Sequence, residues 1–239
     1  MEKNKVAIIT GAGRGIGKAI AIRLSKESYN LVLCSRTEKE IENVARECRN
    51  SGVEAIGIVA DVRKEEDVKK VVKEAIKKFG KIDVLINNAG IGYAKPIVET
   101  KKEDWDIMME TNARGTFLFS REVFKEMVRN KIKGTIINIS SMAGKKPYKN
   151  QSAYCASKFA IVGFSKVLAV EAQEYGIKVH VICPGGVDTD FIKNIRPDIP
   201  SHTLIKPEDI AETVIFLLKT RKEITIDEIL IRRYESQVI

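Results

Sequence analysis

The chain has few metal ligands and no segment that reads as a membrane span. Its 239 residues include two histidines, His180 and His202, and four cysteines, Cys34, Cys48, Cys155 and Cys183, with no C-x-x-C spacing. A metal site is not expected, and the thiols read as reduced structural residues. No apolar run reaches the roughly 18 residues that a spanning helix needs. The opening MEKNK leads directly into a strand pattern rather than a signal-peptide core. The expected location is the cytoplasm, with no membrane partner. Linkers, repeats and low-complexity stretches are also missing, so one domain over 1–239 is expected.

The net charge of +9 raises the question of nucleic acid. The lysines, however, are interleaved with glutamates on helical patterns, as in RKEEDVKKVVKEAIKKF (63–79). Spacing of i,i+4 makes this a solvated, ion-paired helix face rather than a binding patch, and no nucleic-acid partner is expected. A dense Lys and Glu surface is also what a heat-adapted protein shows.

Short β-branched runs alternate with helix-length amphipathic segments. Strands are expected at 5–10, 31–35, 54–60, 83–87, 135–140, 178–183 and 226–231, and helices at about 16–27, 38–50, 64–79, 103–130, 153–175 and 207–219. Most of the strands are continuously apolar, as strands covered on both faces are. Right-handed crossovers then give an α/β doubly wound fold of Rossmann type with a parallel sheet of about seven strands. Its ligand is expected beyond the carboxyl ends of the strands.

At the first such end stands TGAGRGIG, Thr10 to Gly17. Its amides and the following helix N-terminus can face phosphates, and glycine permits the close approach and sharp turn. The spacing is not G-x-G-x-x-G. The arrangement of Thr10, Gly11, Gly15 and Gly17 instead resembles the cofactor loop of the short-chain dehydrogenase/reductase family. NNAG (87–90), Asn112, ISS (139–141), YCASK (154–158) and PGGVDT (184–189) follow in the family's order, so that the resemblance covers essentially the whole chain.

The resemblance implies a nicotinamide cofactor held by Gly11, Arg14, Gly15, Ile16 and Gly17. It also implies contacts from Asp61 and Val62 at the adenine, from Asn88 and Gly90 beside the nucleotide, and from Pro184, Gly185, Val187 and Thr189 at the nicotinamide. For Asp61 a near-cap at the strand-to-helix turn is the alternative. By the family pattern Ser35 occupies the position where a NAD site carries an acid, and Arg36 follows it. Two cations, Arg14 and Arg36, and no acid favour NADP(H), since a guanidinium can hold the 2′-phosphate. The alternative is a surface role for Arg14 and a helix-start role for Arg36.

Tyr154 and Lys158 are four residues apart, so their side chains leave one face of a helix. Bringing a tyrosine from its usual pKa near 10 to about 7 needs roughly 4 kcal/mol of selective phenolate stabilisation. A nearby ammonium and a positive nicotinamide ring are expected to supply it. The resemblance makes Tyr154 the general acid and base. It assigns Ser141 to the substrate oxygen, Lys158 to the nicotinamide ribose, and Asn112 to a water-linked proton relay. The thirteen-residue interval to Tyr154 selects Ser141 over Ser140.

Segments 91–96, 142–152 and 191–207 are expected to line the substrate pocket, with a lid over about 188–206. Tyr93 and Tyr148 are the aromatic candidates for substrate contact. Lys145, Lys146 and Lys149 are candidates for an acidic substrate or for solvated loop positions. The ending EITIDEILIRRYESQVI lacks the glycine-rich tail of acyl-carrier reductases and resembles more the 3-hydroxy acid, serine and small-ketone branch. The turn before the second strand has no glycine, so Ser28, Tyr29 or Asn30 must make it, with a left-handed Asn30 as one option. Ala153, Ala156, Ala160 and Gly163 form a small-residue stripe that packs on the sheet or between subunits; the family resemblance implies a homodimer or homotetramer.

The expected activity is therefore an NADP(H)-dependent interconversion of a small ketone or aldehyde and its alcohol. A 3-oxoacyl-carrier-protein reductase and a silent NADP-binding sensor are the alternatives.

Overall fold

The computed structural model describes residues 4–196 and 198–237. Seven strands form one parallel sheet in the order β3-β2-β1-β4-β5-β6-β7. They are β1 (Val6–Thr10), β2 (Asn30–Ser35), β3 (Ala55–Val59), β4 (Val84–Asn87), β5 (Thr135–Ile139), β6 (Lys178–Pro184) and β7 (Glu228–Ile231). Chain direction across the sheet reverses between β1 and β4, where a doubly wound fold opens its ligand crevice. The expected Rossmann-type architecture is what the structure shows.

The helices are α1 (Gly15–Lys26), α2 (Glu38–Arg49), α3 (Glu65–Phe79), α4 (Lys102–Met108), α5 (Gly115–Arg129), α6 (Ser152–Gln173), α7 (Asp190–Ile195) and α8 (Pro207–Leu218). Alternation along each strand divides the core. Ala7 and Ile9 face α1, α2 and α8, whereas Ile8 faces α3, α5 and α6. The inner strands β2, β1, β4, β5 and β6 are thereby buried on both sides, which accounts for their unbroken apolar runs, whereas the edge strands β3 and β7 are partly exposed.

One local expectation needs correction, and three others gain detail. Segment 103–130 is not one helix: α4 and α5 are separated by a wide turn, Met109–Arg114, with π-helical hydrogen bonding. The next residue, Gly115, lies against Val62, where a Cβ would come within 2.8 Å of the Val62 side chain.

The segment expected to form a lid has secondary structure of its own. It contains α7 and a single turn at Ser201–Thr203. Ile205 is buried and bridges Val187, with Asp188 N donating to Ile205 O at 2.8 Å and Ile205 N to Gly186 O at 3.0 Å. Pro197 lies outside the described residues.

At the end of α1, Ser28 takes the left-handed conformation (φ 60°), while Asn30 begins β2 and accepts from Glu54 N at 3.1 Å. The small-residue stripe is also divided. Ala153 is buried beside Tyr154, but a Cβ at Gly163 would meet nothing within 4 Å. The exposed face of α6 carries Phe159, Val167 and Val170. By length and composition α6 could cross a membrane, yet half of its apolar window is buried within the protein.

Candidate active site

Everything at the crevice begins with the join between β1 and β4. Thr10 Oγ1 accepts from Asn88 N and Ala89 N, each at 3.0 Å. The Asn88 side chain returns two bonds, to Thr10 O at 3.0 Å and Gly11 O at 3.1 Å. These four bonds hold the glycine loop against the end of the neighbouring strand. Gly11 (φ 62°) and Gly15 (φ 55°) are left-handed, where a side chain would be strained. Gly17 packs so closely on Gly11 O and Asn88 that no Cβ fits. A backbone cradle thus opens at the N-terminus of α1, and Ile16 forms part of its wall.

From this cradle a cavity of about 1440 Å³ runs past Tyr154 to the C-terminal segment. Every sequence-expected nucleotide residue except Gly17 lies on its wall, including Arg14, Gly15, Ser35, Arg36, Val62 and Gly90. Ser35 Oγ donates to Thr37 O at 3.2 Å, leaving Arg36 exposed at the corner. The corner also holds an acid that the sequence pattern did not single out: Glu40, whose carboxylate is 4.0 Å from Arg14. Its place four residues after Arg36, in the first turn of α2, was the available signal.

Asp61 is held by Arg63, which reaches both carboxylate oxygens with Nε at 3.0 Å and Oδ2 with Nη2 at 2.5 Å. That ion pair keeps the Asp61 carboxyl below the usual carboxylate range. Arg63 N also donates to Asp61 Oδ1 at 3.0 Å, so the side chain is engaged in the local turn while Asp61 also lines the cavity.

Asn112 is fully buried on the wide turn before α5. Its Oδ1 accepts from Ile91 N at 2.8 Å, and its Nδ2 donates to Ile91 O and Ser157 Oγ, each at 2.9 Å. It thereby ties the loop after β4 to α6, one residue before Lys158. A Cβ at Gly90 would stand 3.3 Å from Asn112 Oδ1 and 3.5 Å from Lys158 Nζ, so glycine keeps this corner open.

Tyr154 and Lys158 share one buried end of the cavity, with Nζ 5.8 Å from the tyrosine ring centroid. Phe191 of α7 covers the same ring at 5.8 Å. Ser141 begins the turn after β5 and accepts from Ala143 N at 3.1 Å. Ser140 instead donates to Lys158 O at 3.0 Å and braces α6.

Without a nicotinamide the tyrosine is not lowered. Burial pushes the Tyr154 phenol up to about 12, with Ser141 pulling the other way, and draws Lys158 down to about 8. The ammonium donates to Ile139 O at 3.1 Å rather than to the phenol. In the protein by itself, desolvation outweighs the cation that was expected to lower the tyrosine.

Beyond β6, Gly185 N donates to Ile231 O at 2.7 Å and Thr189 Oγ1 to Val187 O at 3.2 Å. The Thr189 methyl is 3.1 Å from where a Gly15 side chain would begin, so this turn, which starts at Pro184, closes against the glycine loop. Tyr148 packs in the apolar group around Tyr154, whereas Tyr93 is 41% exposed at the rim. Lys145 is committed to Glu228 at 2.8 Å, and Lys146 to Gln237 O at 3.2 Å; only Lys149 remains a solvated loop lysine. The candidate acidic-substrate site at Lys145 is thus an internal ion pair. Phe191, from the expected 191–207 segment, lines this end, and so does Arg233, which was not singled out because only the fold brings the C-terminal segment here.

Residues 5–200 match the family model described as short chain dehydrogenase. The chain is 36% identical over 223 residues to 3-oxoacyl-[acyl-carrier-protein] reductase FabG of Staphylococcus epidermidis, covering 90% of this chain and 91% of that protein. An alcohol dehydrogenase from the archaeon Thermococcus sibiricus, solved with 5-hydroxy-NADP, superposes with a TM-score of 0.91 at 31% identity over 99% and 100% of the two chains. A 3-ketoacyl-(acyl-carrier-protein) reductase from Brucella melitensis, solved with NADH, superposes with a TM-score of 0.90 at 32% identity over 98% and 99%. Sequence and structure agree along nearly the full length, and the chain belongs to the short-chain dehydrogenase family.

Proposed function

We propose that the protein is an NADP(H)-dependent oxidoreductase that interconverts a small ketone or aldehyde and its alcohol, within one catalytic domain over 1–239. The observation that carries the reading is the convergence of Tyr154, Lys158 and Ser141 on one buried end of the cavity that begins at the glycine cradle. When bound, the nicotinamide supplies or accepts the hydride. The cradle of Gly11, Gly15 and Gly17 fits a pyrophosphate, Asn88 and Gly90 fit its flank, and Pro184, Gly185, Val187 and Thr189 form the turn suited to the nicotinamide end.

Within that arrangement Ser141 positions the substrate oxygen and Tyr154 donates the proton on reduction, or takes it on oxidation. Lys158 holds its charge close to the phenol and the ribose. Asn112 keeps the loop at Ile91 in register with α6. Arg14 and Arg36 support NADP(H), although Glu40 stands in the same corner.

The kinship with FabG favours a second reading, reduction of a 3-oxoacyl thioester on a carrier protein. Assays with 3-keto acids, β-keto esters, aldehydes and acyl-carrier thioesters, scored by kcat/KM with NADPH and NADH, test both. No turnover of any carbonyl compound would reject the enzyme reading. A cytoplasmic homodimer or homotetramer completes the proposal, supported by the unpartnered Phe159, Val167 and Val170 on α6, and a monomer by light scattering would overturn the assembly.

A further inference from the structure

Arg233 differs from the other half-buried cations around the substrate end of the cavity. Lys145 is paired with Glu228 at 2.8 Å, and Arg196 is paired through two bonds with Asp198, at 2.8 and 2.6 Å. Lys146 rests on a main-chain carbonyl at 3.2 Å. Among the described residues the guanidinium of Arg233 has one bond, from Nη1 to Thr203 Oγ1 at 2.8 Å, and no carboxylate within ion-pair distance. A guanidinium carries five donors in a planar fork, so most of this one's donors have no partner among the described residues, and Arg233 lines the cavity wall.

The placement is built rather than incidental. Arg232 Nη1 donates to the carbonyls of Arg233, Tyr234 and Ser236 at 3.2, 2.9 and 2.9 Å. Ser236 closes the same turn, with N and Oγ donating to Arg233 O at 3.0 and 2.7 Å. The turn is anchored where Gly185 N meets Ile231 O. A Cβ at Gly186 would approach Arg233 Cδ at 3.7 Å, so the arginine stem crosses directly over the Pro-Gly-Gly turn. Its charge also reaches Tyr148, which packs against Tyr154, and Asp198, which it helps keep ionised.

We propose that Arg233 binds a carboxylate on the substrate, making the natural substrate a small oxo acid and its hydroxy-acid product. The chemistry fits: a half-buried guanidinium with free paired donors matches a carboxylate bidentately and in a partly desolvated setting. The carboxylate would bind at the open end while the carbonyl lies between Ser141 and Tyr154. Glu235, exposed on the same turn, makes no ion pair with Arg233 that would have to be broken first. This inference rests on the oxidoreductase reading for the carbonyl, but the anion site can be tested separately.

The test compares a 3-oxo acid with its methyl ester in the wild type, Arg233→Gln, Arg233→Lys and Thr203→Val. Arg233→Gln should lower kcat/KM for the acid by about tenfold to a hundredfold, mainly through KM, and leave the ester within about twofold. Arg233→Lys should recover part of the loss. Thr203→Val removes the hydrogen bond but keeps the guanidinium, and should preserve the acid-to-ester ratio. Equal losses on acid and ester, or an unchanged acid, overturn the proposal. If no carbonyl compound is turned over, the oxidoreductase reading fails, and calorimetric binding of the 3-oxo acid to NADPH-saturated protein decides the anion site. Binding at least about tenfold weaker in Arg233→Gln supports it; equal binding, or none in the wild type, overturns it.

Discussion

Glu40 faces Arg14 across the mouth of the glycine loop, with 4.0 Å between carboxylate and guanidinium. The same carboxylate is 3.1 Å from the point where a Gly13 side chain would begin, so it stands inside the corner proposed for the 2′-phosphate. A negative group there opposes a phosphate and partly satisfies Arg14. Both side chains are well exposed, so the effect is modest. Glu40→Gln is expected to raise the NADPH-to-NADH ratio of kcat/KM by about two- to fivefold, with a parallel gain in NADPH affinity by fluorescence titration. Arg36→Asp should move the ratio the other way. An unchanged ratio in both variants would remove this corner from nucleotide choice.

The burial of Tyr154 and Lys158 predicts how activity follows pH. The phenol, pushed up to about 12, stays protonated across the working range, while Lys158, drawn down to about 8, loses its charge within it. Reductive kcat/KM should be level below pH 8 and decline above it. A profile without a break between about pH 7 and 9.5 would separate the lysine's charge from the reaction. Tyr154→Phe should lower kcat by about 10³-fold or more while NADPH binding changes little. Retained turnover would reject the tyrosine as the proton donor.

Lys158 should also weaken the fold that carries it. Its folded pKa of about 8 lies below the ordinary lysine value of 10.5, so below pH 8 the charged lysine is buried at a cost of about 3 kcal/mol. Between 8 and 10.5 the unfolded chain binds more protons than the folded one, and stability rises with pH as this penalty disappears. Lys158→Met is expected to abolish turnover and raise Tm at pH 7 by several degrees, an increment that shrinks toward pH 10.5. A lower Tm at pH 7 would show that the bond to Ile139 O outweighs the buried charge.

Ser28 offers a change remote from the chemistry. A left-handed non-glycine residue is strained by about 1–2 kcal/mol, and a glycine there returns about 0.4–1 kcal/mol of that through unfolded-state entropy. Ser28→Gly should therefore stabilise the protein by about 0.5–1 kcal/mol, raising Tm by about 2 °C at unchanged kcat. Destabilisation would mean that the serine hydroxyl supports the turn through contacts beyond its backbone.

The sequence determined the parts of this protein that depend on local pattern. Apolar runs of four to seven residues separated by amphipathic helices imply a parallel sheet covered on both faces, and the seven strands lie within two residues of their expected limits. Motifs at strand ends were legible for the same reason: Gly11 and Gly15 need left-handed backbone, and Tyr154 and Lys158 need one helix face. Asn112 was legible as a residue but not as a wide turn, because the break between α4 and α5 depends on partners at Ile91, Ser157 and Val62.

Tertiary structure alone decided the electrostatics and the far wall of the cavity. Spacing places Lys158 beside Tyr154, but whether cation or desolvation sets the phenol's pKa depends on Phe191, Ala143 and Met108 closing over it. Glu40 reaches Arg14, Glu228 claims Lys145, and Arg233 comes within van der Waals reach of Gly186 because crossovers fold distant segments onto the strand ends. Periodicity is a property of neighbours along the chain, whereas a charge takes its energy from whatever surrounds it in space.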